Sequence, residues 1–208
     1  GSDSLCLKDM AGLLTPYRAY DLIKRLKEET NLPIQLHSHN TGGLAAMTYL
    51  KAVEAGVDVI DTALSALASG TSQPPTESIV ASIRNTEYDP GIKLEEVVEA
   101  TAHFRKIKNK YEKYQGSFAT DPRVLTNQIP GGMLSNLRSQ LKEQGMFDKY
   151  DEVLAEVPRV REDMGYPPLV TPTSQIIGTQ AVFNVARGKR YELVSKETKD
   201  YVRGMYGK

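Results

Sequence analysis

Leu36-His37-Ser38-His39-Asn40-Thr41-Gly42-Gly43 puts two imidazoles two residues apart, where an alternating pattern stops and a helical one starts. Side chains at i and i+2 leave the same face of a strand, so His37 and His39 can close on one ion. Just before them Ile34 and Leu36 are apolar on one side, while Gln35 keeps step with the histidines on the other. A barrel strand reads this way when its apolar side meets an outer helix and its other side faces the interior. Asn40-Thr41-Gly42-Gly43 opens a helix, which places the pair at the carboxyl end of the strand, where such barrels keep their chemistry. Taken alone, the two rings suit a metal site and an ordinary polar core equally well.

Upstream, Ser4 to Asp9 predicts a short strand with Leu5 and Leu7 on one side and Cys6 and Lys8 on the other. Lys8 then points inward at a strand's end. Thr15 followed by Pro16 is an N-cap with proline at the first helical position, and the helix carries Ala19, Leu22, Ile23 and Leu26 on one face. Downstream, Leu44, Met47, Leu50 and Val53 predict a second helix ended by Gly56, and Val57 to Leu64 a third strand. Lys8 and His37 stand about thirty residues apart, close to one strand-helix unit of an eightfold barrel, so corresponding positions on neighbouring strands come side by side. Three parallel strands alone leave a face or an edge bare, so these units imply partners outside this stretch.

After the loop Leu67 to Thr76, Thr76 caps a short helix through Ile79, Val80 and Ile83. Beyond Asp89-Pro90-Gly91 the pattern turns helical throughout. Leu94, Val97, Val98, Ala102, Phe104 and Ile107 mark a long helix to about Tyr114. Met133, Leu134, Leu137 and Leu141 mark another from Gly131-Gly132, and Phe147 to Met164, Thr173 to Ala186 and Lys196 to Met205 supply the rest. The expected class is α/β: the last three βα units of a TIM-type barrel over residues 3–88, then an all-helical C-terminal domain over 89–208.

In 208 residues, Lys plus Arg and Asp plus Glu each total 26, so the formal charge is zero. Nothing in that balance points to nucleic acid or an anionic membrane, and a small ligand is the expectation. Cys6 is the single cysteine, which excludes an internal disulfide and suits a reducing, cytoplasmic setting. No apolar run approaches the length of a membrane span, and no signal-peptide pattern opens the chain. Gly1-Ser2 reads as a cloning scar running straight into a strand, so the chain is expected to begin inside a larger fold.

Three segments carry a resemblance: Lys8-Asp9-Met10-Ala11-Gly12, the histidine motif, and Leu169-Val170-Thr171-Pro172-Thr173-Ser174-Gln175-Ile176-Ile177-Gly178-Thr179-Gln180. They resemble the carboxyltransferase component of biotin-dependent keto-acid enzymes, the group that holds oxaloacetate decarboxylase alpha subunits, transcarboxylase keto-acid subunits and pyruvate carboxylases. The likeness extends through Gln128-Ile129-Pro130-Gly131-Gly132-Met133-Leu134 and Glu156-Val157-Pro158-Arg159-Val160-Arg161. It implies that Lys8 is carbamylated and joins His37 and His39 as ligands of a divalent metal, Zn, Co, Ni or Mn. A carbamate oxygen and two neutral imidazoles suit such an ion, whereas an ammonium repels it. Without the resemblance, the preferred reading of Lys8 is a barrel lysine paired with Asp9 or another carboxylate, since lysine is seldom a ligand.

The resemblance also implies that Thr171 is catalytic, moving a proton between biotin and the keto acid, because a hydroxyl both donates and accepts. The plainer reading makes Thr171 the N-cap of the helix after Pro172. Ser174 and Gln175, one turn on, are the expected biotin contacts, with Gln175 standing where the family often has lysine. His103 is expected at the surface, Asn40 and Asp61 as supports of the metal pair, and a serine-nucleophile reading of Ser65 or Ser69 is rejected for want of a base. No Met-Lys-Met occurs, so biotin is implied on a separate domain or subunit. A further metal-ligating aspartate and an arginine gripping pyruvate or oxaloacetate belong upstream of residue 1.

The expected partners are therefore the keto acid, a biotin carrier domain and the missing N-terminal barrel half. Self-association into a homo-oligomer through the bare strand edge is expected, as are poor metal binding and no turnover by this polypeptide alone. The parent is expected in the cytoplasm, with room for attachment to a membrane complex. Two other readings stay open: an acyl-CoA lyase or synthase of the isopropylmalate synthase type, which shares the His-x-His strand, and a non-catalytic docking module.

Overall fold

The computed structural model describes residues 1–111 and 119–207. It divides into two compact units, Gly1–Thr126 and Asn127–Lys208. In the first, three parallel strands stand in the order β1 (Leu5–Asp9), β2 (Ile34–Ser38), β3 (Val59–Ile60), joined through helices α1 (Pro16–Glu29) and α2 (Ala45–Glu54). Lys8 is in register with His37, as the strand-helix spacing required. Ile34 and Leu36 are fully buried against Ala19, Ile23, Tyr49 and Ala52, while Cys6 and Lys8 lie exposed on the opposite face. Period-two alternation thus sorts each strand into a core side and a site side.

Two expectations for this unit change. The third strand is two residues long, not Val57 to Leu64. Asp58 and Asp61 still donate their N–H groups to Ile34 and Leu36, but Ala63 then turns to bridge Pro75, with its N–H on the Pro74 carbonyl. The segment leaves the ladder to anchor the next loop. In α2 the buried side is Ala45, Thr48, Tyr49 and Ala52, whereas Met47 and Leu50 are exposed. Alanines let the helix approach closely, and Tyr49 turns inward because its hydroxyl has a backbone partner there.

Helices α3 (Thr76–Ile83) and α4 (Leu94–Asn109) close the sheet unit, joined by a 2.5 Å hydrogen bond from the Thr101 hydroxyl to Glu77. Thr76 is the first residue of α3 and Pro75 its N-cap. Val98 and Phe104 remain exposed, so the buried stripe of α4 is narrower than its apolar positions suggest. Tyr114, where that helix was expected to end, lies outside the described residues. Short α5 (Val124–Asn127) follows, and Val124 and Leu125 press on Gly42.

The second unit holds α6 (Gly131–Glu143), a 3-10 turn at Phe147–Lys149, α7 (Tyr150–Asp163), α8 (Thr173–Arg187) and α9 (Lys196–Val202). Its core is Met133, Leu137 and Leu141 of α6 against Val153, Val157 and Val160 of α7 and Ile177 and Ala181 of α8. Gly178 permits the α6–α8 approach, since a Cβ there would stand 3.2 Å from the Met133 methyl. A polar seam runs beside this core. Glu156, 5% exposed, accepts from Asn184 and Arg190, and Gln180 holds the 193–195 backbone. No helix among the described residues is long and apolar enough to cross a membrane.

Candidate functional site

His37 lies near the end of strand β2 and His39 just beyond it, both half-buried on the site face of the sheet. Their ring centroids lie 5.1 Å apart, and their Nε2 atoms face each other at 3.2 Å. The other nitrogen of each ring is engaged. His37 Nδ1 lies 2.6 Å from Asp61 Oδ2, and Asp61 in turn accepts from the Gln35 amide at 2.7 Å. His39 Nδ1 lies 2.6 Å from the Thr71 carbonyl oxygen, which can only accept, so this nitrogen carries its hydrogen. In neutral rings both Nε2 lone pairs are then directed at one another. That arrangement is repulsive unless a cation or a proton occupies the gap.

Two nitrogens bound to one tetrahedral zinc at about 2.05 Å are separated by about 3.3 Å, close to the gap seen here. The pair therefore fits a divalent ion as two of its ligands, and the carboxylate behind His37 fixes ring and tautomer as such partners do. Burial holds the His39 ring below its ordinary pKa, countered by the Thr71 carbonyl; the charges of His37 and Lys8 lower it further, and Asp9 raises it. A neutral imidazole is the form a metal takes. Among the described residues, no cluster of three or more His, Cys, Asp and Glu side chains forms a metal cage by itself.

Lys8 lies beside His37 on the neighbouring strand. Pairing with Asp9, the plainer reading of Lys8, does not occur. The Asp9 carboxylate is spent on the Leu13 and Leu14 N–H groups at 2.9 and 3.1 Å and on the Ser38 hydroxyl at 2.7 Å. Among the described residues Lys8 has no ion pair.

Backbone contacts fix the pair from below and above. Ser38, between the histidines, donates its N–H to the Tyr49 hydroxyl at 2.8 Å, and that hydroxyl returns a hydrogen bond to the Ser38 carbonyl at 3.2 Å. Burial pushes the Tyr49 phenol well above its usual range. Gly12 has φ +69°, and a Cβ there would stand 2.2 Å from the His39 carbonyl oxygen, so no side chain fits. From the other side, the Ser69–Gln73 turn brings the Thr71 carbonyl to His39, the Ser72 carbonyl to the Asn40 N–H at 2.8 Å, and the Gln73 amide nitrogen to within 3.3 Å of His37 Nε2. The Asn40 side chain accepts the Ala45 N–H at the start of α2.

The sequence reading gave Tyr49, Gly12 and Gln73 no role of their own. Gln73 precedes Pro74-Pro75, a rigid pair that could have drawn attention to it. Ser65 donates its hydroxyl to Glu77 at 2.7 Å and serves that acid, not a reaction, while His103 is exposed on α4.

Thr171, Ser174 and Gln175 lie in the second unit, around the start of α8. Thr171 is exposed, joined to Pro172 by a cis peptide bond, and among the described residues nothing bonds its hydroxyl. It is not the N-cap. That position falls on Pro172, and the hydroxyl that folds back is Thr173, onto the Val170 carbonyl at 2.8 Å and onto that of Pro168. Ser174 is half-buried and Gln175 exposed on the first turn.

Comparison with known proteins also falls into two parts. Residues 1–103 match the HMGL-like family and residues 124–208 the conserved carboxylase domain family. A pyruvate carboxylase subunit of Methanocaldococcus jannaschii is 60% identical over 210 residues, covering 100% of this chain and 37% of that protein. The methylmalonyl-CoA carboxyltransferase 5S subunit of Propionibacterium freudenreichii subsp. shermanii is 48% identical, covering 100% of this chain and 41% of that subunit. The carboxyl transferase domain of Rhizobium etli pyruvate carboxylase, solved with pyruvate, superposes with a TM-score of 0.94 at 32% identity, over 98% of this chain and 36% of that one. The chain spans well under half the length of these relatives, and along its length it matches two families in turn, the HMGL-like family and the conserved carboxylase domain family.

Proposed function

We propose that these residues are part of an enzyme that moves a carboxyl group between carboxybiotin and pyruvate or oxaloacetate. The observation that carries this reading is the histidine pair with both Nδ1 atoms engaged and both Nε2 atoms facing across 3.2 Å, beside a lysine without an ion pair. His37 and His39 supply two ligands, and Lys8, carbamylated, supplies a third. Carbamylation turns a charge that repels a cation into one that holds it. When bound, the metal, one of Zn, Co, Ni or Mn, acts as a Lewis acid toward the enolate oxygen that develops on the keto acid. Residues 3–88 form the last three βα units of a TIM-type barrel and 89–208 the helical part. Helix α4 bonds α3, and Val124 and Leu125 press on Gly42, so the compact unit that holds the sheet runs on to Thr126.

Carboxybiotin, brought on a separate carrier domain, would supply the carboxyl group. The Thr171 hydroxyl would carry a proton between the methyl carbon of pyruvate and biotin N1, in either direction of carboxyl transfer. Ser174 and Gln175 would contact the biotin ureido group. The carrier, the upstream barrel strands and a second copy of the chain are the partners of this reading, in the cytoplasm. The acyl-CoA alternative shares the barrel part alone, and the carboxylase-domain match at 124–208 favours carboxyl transfer over it.

The test uses the full-length chain with its biotinylated carrier and follows oxaloacetate decarboxylation. Thr171→Ala is expected to lower kcat by about 100-fold or more with KM little changed, and Thr171→Ser to keep much of the rate. Equal rates for wild type and Thr171→Ala overturn the proton-transfer role. The 208-residue polypeptide alone is expected to show no turnover.

A further inference from the structure

The histidine pair has one neighbour with no role in the carboxyl transfer proposed for it. The Gln73 side-chain nitrogen lies 3.3 Å from His37 Nε2, at the gap where both ring lone pairs meet. An amide oxygen there would face a bare nitrogen, so the NH2 end is the one directed at the ring. The contact is longer than an ordinary N–H hydrogen bond of about 2.9 Å, which marks it as weak. The backbone behind Gln73 is fixed. Ser69 and Gly70 turn at φ 72° and 56°, Ser69 N–H bonds the Gln73 carbonyl at 2.9 Å, and the Thr71 and Ser72 carbonyls bind the histidine strand. A firmly held loop thus presents one loosely held side chain to a metal-ligating nitrogen.

We propose that Gln73 is a displaceable placeholder on His37 Nε2: its amide satisfies the ring's lone pair in the metal-free protein and must leave that nitrogen before a cation can bind. Gln73 is accordingly a positioning residue. It keeps the two neutral imidazoles ready for an ion, at the expense of metal affinity. This rests on the metal reading of the histidine pair, and the experiment separates the two.

The full-length chain, stripped of metal with a chelator, is titrated with Co2+ by calorimetry, and the diamagnetic Zn2+ form is followed by NMR of the histidine ring nitrogens and glutamine side-chain amides. Removal of one competing hydrogen bond in Gln73→Leu is expected to tighten Co2+ binding roughly fivefold. Gln73→Glu, which keeps the length and puts an anionic oxygen at the same place, is expected to tighten it by about tenfold or more. In the wild type, one glutamine amide pair shifts together with the His37 Nε2 resonance on zinc addition, and this pair is missing from Gln73→Leu. Cobalt binding that is equal or weaker in both variants, or ring and amide signals that move independently, overturns the placeholder. Absence of Co2+ binding by wild type and variants alike overturns the metal reading, and the placeholder with it.

Discussion

Ser38 is a small residue between two functional ones, yet both its backbone groups end on one buried hydroxyl, that of Tyr49. Tyr49→Phe leaves a buried N–H and carbonyl without partners, which costs about 1–3 kcal/mol. Urea unfolding should register that loss, and the metal affinity of the full-length protein should fall with it; an unchanged midpoint would show that Ser38 finds another partner. Gly12 is constrained more tightly still. Any Cβ would overlap the His39 carbonyl oxygen at 2.2 Å in a left-handed backbone, so Gly12→Ala must displace His39, the second of the proposed ligands. Loss of metal binding in a variant that still folds is the expected outcome, checked by calorimetry beside circular dichroism.

Among the elements, the strand carrying the histidines was fully legible, because Ile34-Gln35-Leu36-His37 alternates and its apolar partners sit at helical spacing in α1. Strand β3 was less so. Hydropathy runs on from Val57 to Leu64, but the carboxylate of Asp58 bonds the Ile34 N–H and Lys27, that of Asp61 turns to His37, and Ala63 pairs with Pro75. Side-chain commitments of that kind leave no trace in an apolar pattern. Helix α2 misled for the reverse reason: Met47 and Leu50 advertise a core face, while the alanines beside Tyr49 form the real one. In the helical unit, Glu156 ties α7 to Asn184 of α8 and to Arg190. Glu156→Ala removes the acceptor shared by Asn184, Arg190 and Arg159 and leaves the buried Asn184 amide short of a partner, so a loss of about 2–4 kcal/mol is expected in denaturant unfolding, with Glu156→Gln losing less.

At the scale of the molecule, Lys8 and Cys6 are exposed on one face of the sheet, and among the described residues β1 pairs on one side alone. Cys6 should therefore react readily with a thiol reagent in this polypeptide, and slowly in a full-length chain in which the proposed upstream strands cover that face. Acid should weaken the sheet unit. The Ile34 N–H, and after it Lys27, hold the Asp58 carboxyl below its ordinary value of 3.8, so its support is complete above that value and fades as pH falls beneath it. Urea midpoints between pH 7 and 3 should follow that course, and Asp58→Asn should flatten it. The turn over the histidines has its own bearing on how such a protein can diverge. Thr71 and Ser72 grip the strand through main-chain oxygens, so a library of replacements at those two positions should leave ligand geometry intact, while position 73 tolerates few. Sequence can drift there without moving a single donor atom, and comparative statistics on that loop would understate how much it governs.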